Sequence, residues 1–136
     1  AALKPLAGRG VRVLSGYFAR SAAGWDVNYL LEDDRSEYLS RHDALMDFGS
    51  GIVFSKVDLI CNNTPVAEIA PALSKLAADP NQAEVMDLFT HEQYFWPFYA
   101  GYVPDHPKRM ETAIRWATDH GYKPVFFHEG FLGGQE

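Results

Sequence analysis

The chain has a single cysteine, Cys61, in 136 residues. That excludes an intramolecular disulfide and a cysteine-built zinc site. One thiol fits a reducing compartment, and no signal-peptide pattern opens the sequence, so a cytoplasmic location is expected. No apolar run approaches the roughly 20 residues that span a bilayer, and no membrane partner is expected. Basic residues are outnumbered, 12 against 18 acidic, for a formal net charge of −6, and no Lys/Arg cluster breaks the scatter. Nucleic-acid binding is driven by phosphate neutralisation, so this balance argues against a nucleic-acid partner and favours a neutral or cationic ligand. Internal repeats and low-complexity segments are also absent.

What the chain does have is apolar and aromatic material. Hydrophobic residues make up 47% and aromatics 14%, enough for a packed core, and the length is that of one ordinary domain spanning residues 1–136. Ala2 to Gly10 reads as the end of a helix. Gly10 to Phe18 alternates with β-branched residues as a strand does, and Trp25 to Leu31 is a second strand candidate. A short helix is expected around Ser36 to Asp47, then a strand from Ile52 to Asn63. Thr64 and Pro65 open a helix that Asp79-Pro80 ends, with Thr64 as the expected N-cap. Val85 to His91 reads as a strand. Asp105 and Pro107 start a helix to His120 in which Met110, Ala113, Ile114 and Ala117 recur at helical spacing, and Gly121 closes it. Lys123 to His128 is the expected last strand. Strand alternating with helix is the pattern of parallel βαβ units in an α/β fold.

Both strands of the last unit would then end on the same dipeptide, His91-Glu92 and His128-Glu129. The carboxyl ends of parallel strands form the site face of such folds, so both pairs are expected on one edge. Asp87 and Phe89 alternate onto the face of His91, where the acid would hydrogen-bond the imidazole or raise its pKa. A histidine can also end a strand simply as a half-buried polar cap, and Glu129 reads better as a solvated loop acid.

The segment "MDLFTHEQYFWPFY…PKRMETAIRWATDHGYKPVFFHEGF" resembles the C-terminal end of the polysaccharide deacetylase family, the carbohydrate esterases with a nodulation-type deacetylase homology domain. Leu88-Phe89-Thr90-His91 is similar to that family's Leu-x-His motif with one extra residue. Asp119-His120-Gly121-Tyr122 followed by "KPVFFHE" is similar to its helix-to-last-strand passage. The likeness covers about Val85 to Phe131. It implies a distorted (β/α) barrel, a divalent metal (usually zinc) and hydrolysis of N-acetyl groups on sugars. It gives His91 the role of general acid toward the leaving amine, a task for a group with pKa near neutrality. The family's paired Asp on an early strand and its His-x-x-x-His segment are not in this sequence. The resemblance therefore extends to the C-terminal half of a barrel, which implies self-association or a missing N-terminal portion, because a half-barrel exposes strand edges. The alternative is a non-catalytic carbohydrate-binding or accessory half-barrel without the metal site.

Between the strand and the helix lies Tyr94-Phe95-Trp96-Pro97-Phe98-Tyr99. Such rings either stack on sugar or fill the interface between loop and core. Since adjacent rings cannot all face inward, at least one of Tyr94, Trp96 and Tyr99 is expected to line a cleft for a small-molecule or oligosaccharide ligand. Asn62 ends its strand and would reach the same edge as His91, with amide groups suited to substrate hydroxyls, or would serve only as a turn residue. The candidate site residues are thus His91 and Asp87 for chemistry, and Glu92, Tyr94, Trp96, Asn62 and His128 for binding. Cys61 reads as an inert core thiol, and His42, His106 and His120 as surface residues without a role.

Overall fold

The computed structural model describes residues 3–16, 18–21, 24–27 and 33–132. The expected strand from Trp25 to Leu31 lies outside the described residues beyond Val27. The chain is α/β, with mixed small sheets and helices in two compact units, Ala1–Lys56 with Pro124–Glu136, and Val57–Lys123. The strands gather into three small sheets, and no barrel closes among the described residues.

In the first unit the helix α1 (Leu3–Gly8) leads to strand β1 (Val13–Ser15), and β2 (Phe18–Ser21) pairs antiparallel with β3 (Gly24–Val27). The helix α2 (Asp33–Leu39) precedes β4 (Ala44–Asp47) and β5 (Ile52–Ser55). β5 lies between β1, to which it is parallel, and β4, to which it is antiparallel. All four residues of β5 are buried, as a central strand covered on both faces requires. Ile52 and Phe54 pack with Leu39 of α2, and Leu3, Leu6, Val11, Leu14 and Leu45 close around them.

Two expectations for this unit are corrected. The helix around Ser36 to Asp47 ends at Leu39, and Ala44–Asp47 is strand, because the turn after it returns the chain onto β5. The Asp47 carboxylate organises that turn by accepting the Ser50 backbone N–H at 2.9 Å and the Arg35 guanidinium at 2.6 Å. The expected last strand is also not a strand. Residues 122–126 are irregular, and Phe127–Leu132 form helix α5. Glu129 accepts the Phe126 backbone N–H at 2.9 Å, the reach-back of a helix-capping acid, and Val125 and Phe126 are exposed.

In the second unit β6 (Leu59–Ile60) and β7 (Leu88–Phe89) pair in parallel, joined by helix α3 (Val66–Ala77). The parallel βαβ unit thus falls one helix earlier than the sequence reading put it. The expected Ile52–Asn63 strand divides into β5 and β6, and that of Val85–His91 contracts to β7, because only Leu59 and Ile60 face Leu88 and Phe89 in register. Thr64 does not cap α3. Its hydroxyl donates to the Ile60 carbonyl at 3.0 Å, and Pro65 takes the N-cap place.

Helix α4 (His106–Asp119) follows and packs on α3. Its buried stripe is His106, Ala113, Trp116 and Ala117, while Ile114 is half exposed. Trp116 and Ala113 meet Ile69 and Leu73 of α3, and Leu59 and Cys61 complete this core. Gly121 ends α4 at φ +88°, with the Tyr122 N–H on the Ala117 carbonyl and the Gly121 N–H on that of Thr118. That pair of bonds is a Schellman closure, for which glycine is the residue without steric cost.

Candidate functional site

Because β6 and β7 are parallel, the segments leaving their carboxyl ends emerge side by side, about 4.8 Å apart. After β6 a short 3-10 turn carries Asn62. After β7 come Thr90 and His91, then a second 3-10 turn over Glu92–Phe95. The start of α4 closes the group from the third side with His106 and Arg109.

These side chains form one hydrogen-bonded chain. The Nε2 of His106 lies 2.9 Å from Thr90 Oγ1, and the Thr90 hydroxyl donates to Asn62 Oδ1 at 3.3 Å. Asn62 Nδ2 donates to Asn63 Oδ1 at 2.8 Å, which fixes the amide's orientation. Arg109 Nη1 donates to the Asn62 carbonyl at 2.9 Å, and its Nε to Asp105 Oδ1 at 2.9 Å. The threonine has one proton to give and gives it to Asn62, so His106 is the Nε2–H donor in its own bond. Its Nδ1 is then a bare lone pair, with no partner among the described residues. The opposite tautomer would bury an unpaired N–H, which costs more than an unpaired acceptor. His106 is 0% exposed. Burial lowers its pKa from the ordinary 6.5, and the Arg109 charge lowers it further, against a smaller opposing pull from Asp105.

Around this knot sits the aromatic loop. Phe95 packs on the His106 ring at 4.4 Å, and Tyr94 meets the rings of His106, Tyr99 and His91 at 6.1, 5.7 and 6.4 Å. The Val103 N–H donates to the Tyr94 carbonyl at 3.1 Å and closes the loop at its base, while Gln93 reaches the Tyr99 hydroxyl at 3.1 Å. Gly101 lets the chain pass close to the Tyr99 ring, since a Cβ there would stand 2.7 Å from the ring edge and the ring would have to shift. The remaining rings point outward. Trp96 is 49% and Phe98 87% exposed, and the two lie near-parallel, 6.1 Å between centroids. His91 and Glu92, at the start of the same loop, are also exposed.

Of the residues singled out from sequence, His91, Glu92, Tyr94 and Trp96 share this one loop, and Asn62 lies at its base. Tyr94 and Asn62 are committed to internal packing and hydrogen bonding, whereas Trp96, His91 and Glu92 face outward. Asp87 lies at the other end of β7, where its N–H donates to Asp58 Oδ2 at 2.7 Å and its carbonyl accepts the N–H groups of Asp58 and Leu59. An extended chain advances about 3.3 Å per residue, so four residues set Asp87 roughly 13 Å from His91, beyond the screening length at physiological salt. The ring against His91 on that face is Phe89, at 4.9 Å. His128 belongs to the first unit, in the first turn of α5, where it stacks on Phe126 at 6.1 Å. The expectation of two strands ending on His-Glu at one sheet edge is therefore corrected: only His91 follows a strand.

The sequence reading passed over His106, Thr90 and Arg109. The signal was present in the helical spacing. His106, Met110, Ala113 and Ala117 fall at i, i+4, i+7 and i+11, which places the histidine on the buried stripe. Chemically, Thr90 and His106 have the separation of a nucleophile and its base, but a base working on substrate needs access and an orienting group on its second nitrogen. His106 has neither among the described residues, so the pair acts as a tie. The Cys61 thiol, buried beneath the same edge, is pushed up to about 11 by desolvation and is inert at neutral pH. Among the described residues, no group of three or more His, Cys, Asp or Glu side chains could hold a metal ion. No helix among them is long and apolar enough to cross a membrane. No protein-family model, no curated protein and no solved structure matches this chain.

Proposed function

We propose that the loop at the carboxyl edge of β6 and β7 binds a carbohydrate, as the ligand-facing C-terminal part of a deacetylase-like hydrolase. The observation that carries this reading is the exposed, near-parallel pair Trp96 and Phe98 on a loop that also carries exposed His91 and Glu92 and whose base is pinned by a buried network. Aromatic faces held in place offer sugar C–H groups a large contact area at small entropic cost. Glu92 would accept hydrogen bonds from hydroxyls. Hydrolysis of an N-acetyl group adds water across the amide C–N bond, releases acetate and leaves the sugar amine, whose nitrogen needs a proton as the bond breaks. His91 would supply that proton. The partner this reading calls for is a second copy or an N-terminal portion that completes the barrel and brings the metal-binding residues.

A second reading is a non-catalytic carbohydrate-binding module. The same aromatic pair supports it, since Trp96 and Phe98 need no proton donor to hold a sugar. Calorimetric titration with an N-acetylated glucosamine tetramer, together with acetate release, separates the two. Both readings expect Trp96→Ala to weaken binding by about tenfold, the loss of one well-placed ring contact. With the portion that brings the metal-binding residues supplied, the enzyme reading further expects acetate release that His91→Ala abolishes while binding persists. Binding without acetate release in that completed protein, unchanged by His91→Ala, selects the module. Binding unaffected by Trp96→Ala and Phe98→Ala rejects both.

A further inference from the structure

The fully buried histidine under the aromatic loop has a place in neither reading. Its geometry is specific. Its Nε2–H is committed to Thr90, its ring is covered by Phe95 and Tyr94, and its Nδ1 lone pair meets no donor among the described residues. A second proton would therefore create a cation whose new N–H points at nothing that can accept it. Buried unpaired charge is among the least tolerated arrangements in a protein interior. The groups packed against it offer little relief. Asn62 and Thr90 are neutral and already engaged, Tyr94 and Phe95 present rings, and on its own helix the Arg109 cation opposes the Asp105 carboxylate, to which it is itself bonded. His91 is one ring further away, against Tyr94.

We propose that His106 is a proton-operated latch on the aromatic loop: neutral, it ties residues 91–103 to the carboxyl edge of β6 and β7, and protonated, it releases them. The loop has few other anchors. Among the described residues its backbone bonds are local, between neighbouring turns, apart from the Val103–Tyr94 closure at its base, and Phe98 is left 87% and Trp96 49% exposed. The tie through Phe95, Thr90 and His106 is what joins it to the core. The direction of the pH effect follows. A buried imidazole whose pKa is lowered from 6.5 binds fewer protons in the latched state than in the open one. Latching is therefore complete above pH 6.5, weakens as pH falls through that value, and stops changing once the pH is below the latched-state pKa. The loop would present its aromatic face at neutral pH and lose it in mildly acidic surroundings, whatever ligand that face takes.

The test is amide hydrogen exchange by nuclear magnetic resonance on the whole chain between pH 8 and pH 5, with rates corrected for intrinsic pH dependence. The amides of Trp96, Tyr99, Tyr102 and Val103 report on the loop. The expected result is loss of their protection below pH 6.5 by about tenfold per pH unit, levelling off where the His106 ring itself titrates. His106→Gln places an amide near Thr90 that cannot take a proton, and is expected to remove this pH dependence. Loop protection that stays constant as pH falls toward the His106 titration would overturn the proposal. So would the same pH dependence in His106→Gln. Should that variant fail to fold, the wild-type comparison of ring titration with loop opening decides alone.

Discussion

Replacing Thr90 with valine probes the knot beneath the loop with almost no change of shape. The hydroxyl stands between two buried groups, His106 at 0% and Asn62 at 7% exposure, at 2.9 and 3.3 Å. Valine keeps the branched volume but leaves the His106 N–H without an acceptor and Asn62 Oδ1 without its donor. Each buried group stranded in this way costs about 1–3 kcal/mol. The His106 bond is the shorter and more deeply buried, so its loss sets the larger share, and the longer Asn62 contact adds at the low end of that range. The sum is about 2–4 kcal/mol for the second unit. Thr90→Ser keeps the hydroxyl and removes one methyl, which costs about 1 kcal/mol. The assay is urea unfolding read on amide resonances of α3 and α4, which report on this unit alone, with the stability change taken from the midpoint at constant slope. Thr90→Val within 0.5 kcal/mol of wild type would refute the reasoning, because the bonds would then be worth no more than surface contacts. Thr90→Ser as damaging as Thr90→Val would also refute it, since the effect would lie in packing.

Two further outcomes are expected. Asp47 has its carboxyl held below the ordinary 3.8, chiefly by the Ser50 hydroxyl, with Arg35 helping against burial. A carboxylate with lowered pKa stabilises the fold above its unfolded value, so the first unit should lose stability as pH falls below about 4, and Asp47→Asn should flatten that slope in acid unfolding curves. Cys61 should resist a thiol reagent at pH 8 in the native chain and react in urea, because its thiol is buried and pushed up to about 11. Native labelling at the rate of an exposed thiol would contradict the packing of this core.

Local signals in the sequence were reliable where the structure depends on local chemistry. Gly121 closes α4 as its position after the apolar stripe implied, and Asp79-Pro80 ends α3 within a residue of the expected place. The signals failed where pairing over distance decides. "KPVFFH" is rich in β-formers, yet Val125 and Phe126 pair with no strand among the described residues and stay exposed, and Glu129 captures the Phe126 N–H to start a helix instead. "VMDLFTH" has seven residues of strand character, but its partner β6 offers two in register before its chain turns at Cys61. The candidate site was half legible. Its outward residues, His91, Glu92 and Trp96, stood out by type. Its foundation did not, because a histidine beside a proline at a helix start looks like surface until Phe95 and Tyr94 are folded over it.

The proposed role of the 91–103 loop as a ligand surface is tested most directly by a nuclear magnetic resonance titration of the wild-type chain with an N-acetylated glucosamine tetramer at pH 7.5. Saturable shifts are expected, concentrated on His91, Glu92, the Trp96 indole N–H and Phe98, with the core of α3 and α4 unmoved. Shifts that are absent, or that map away from this loop, would contradict that role.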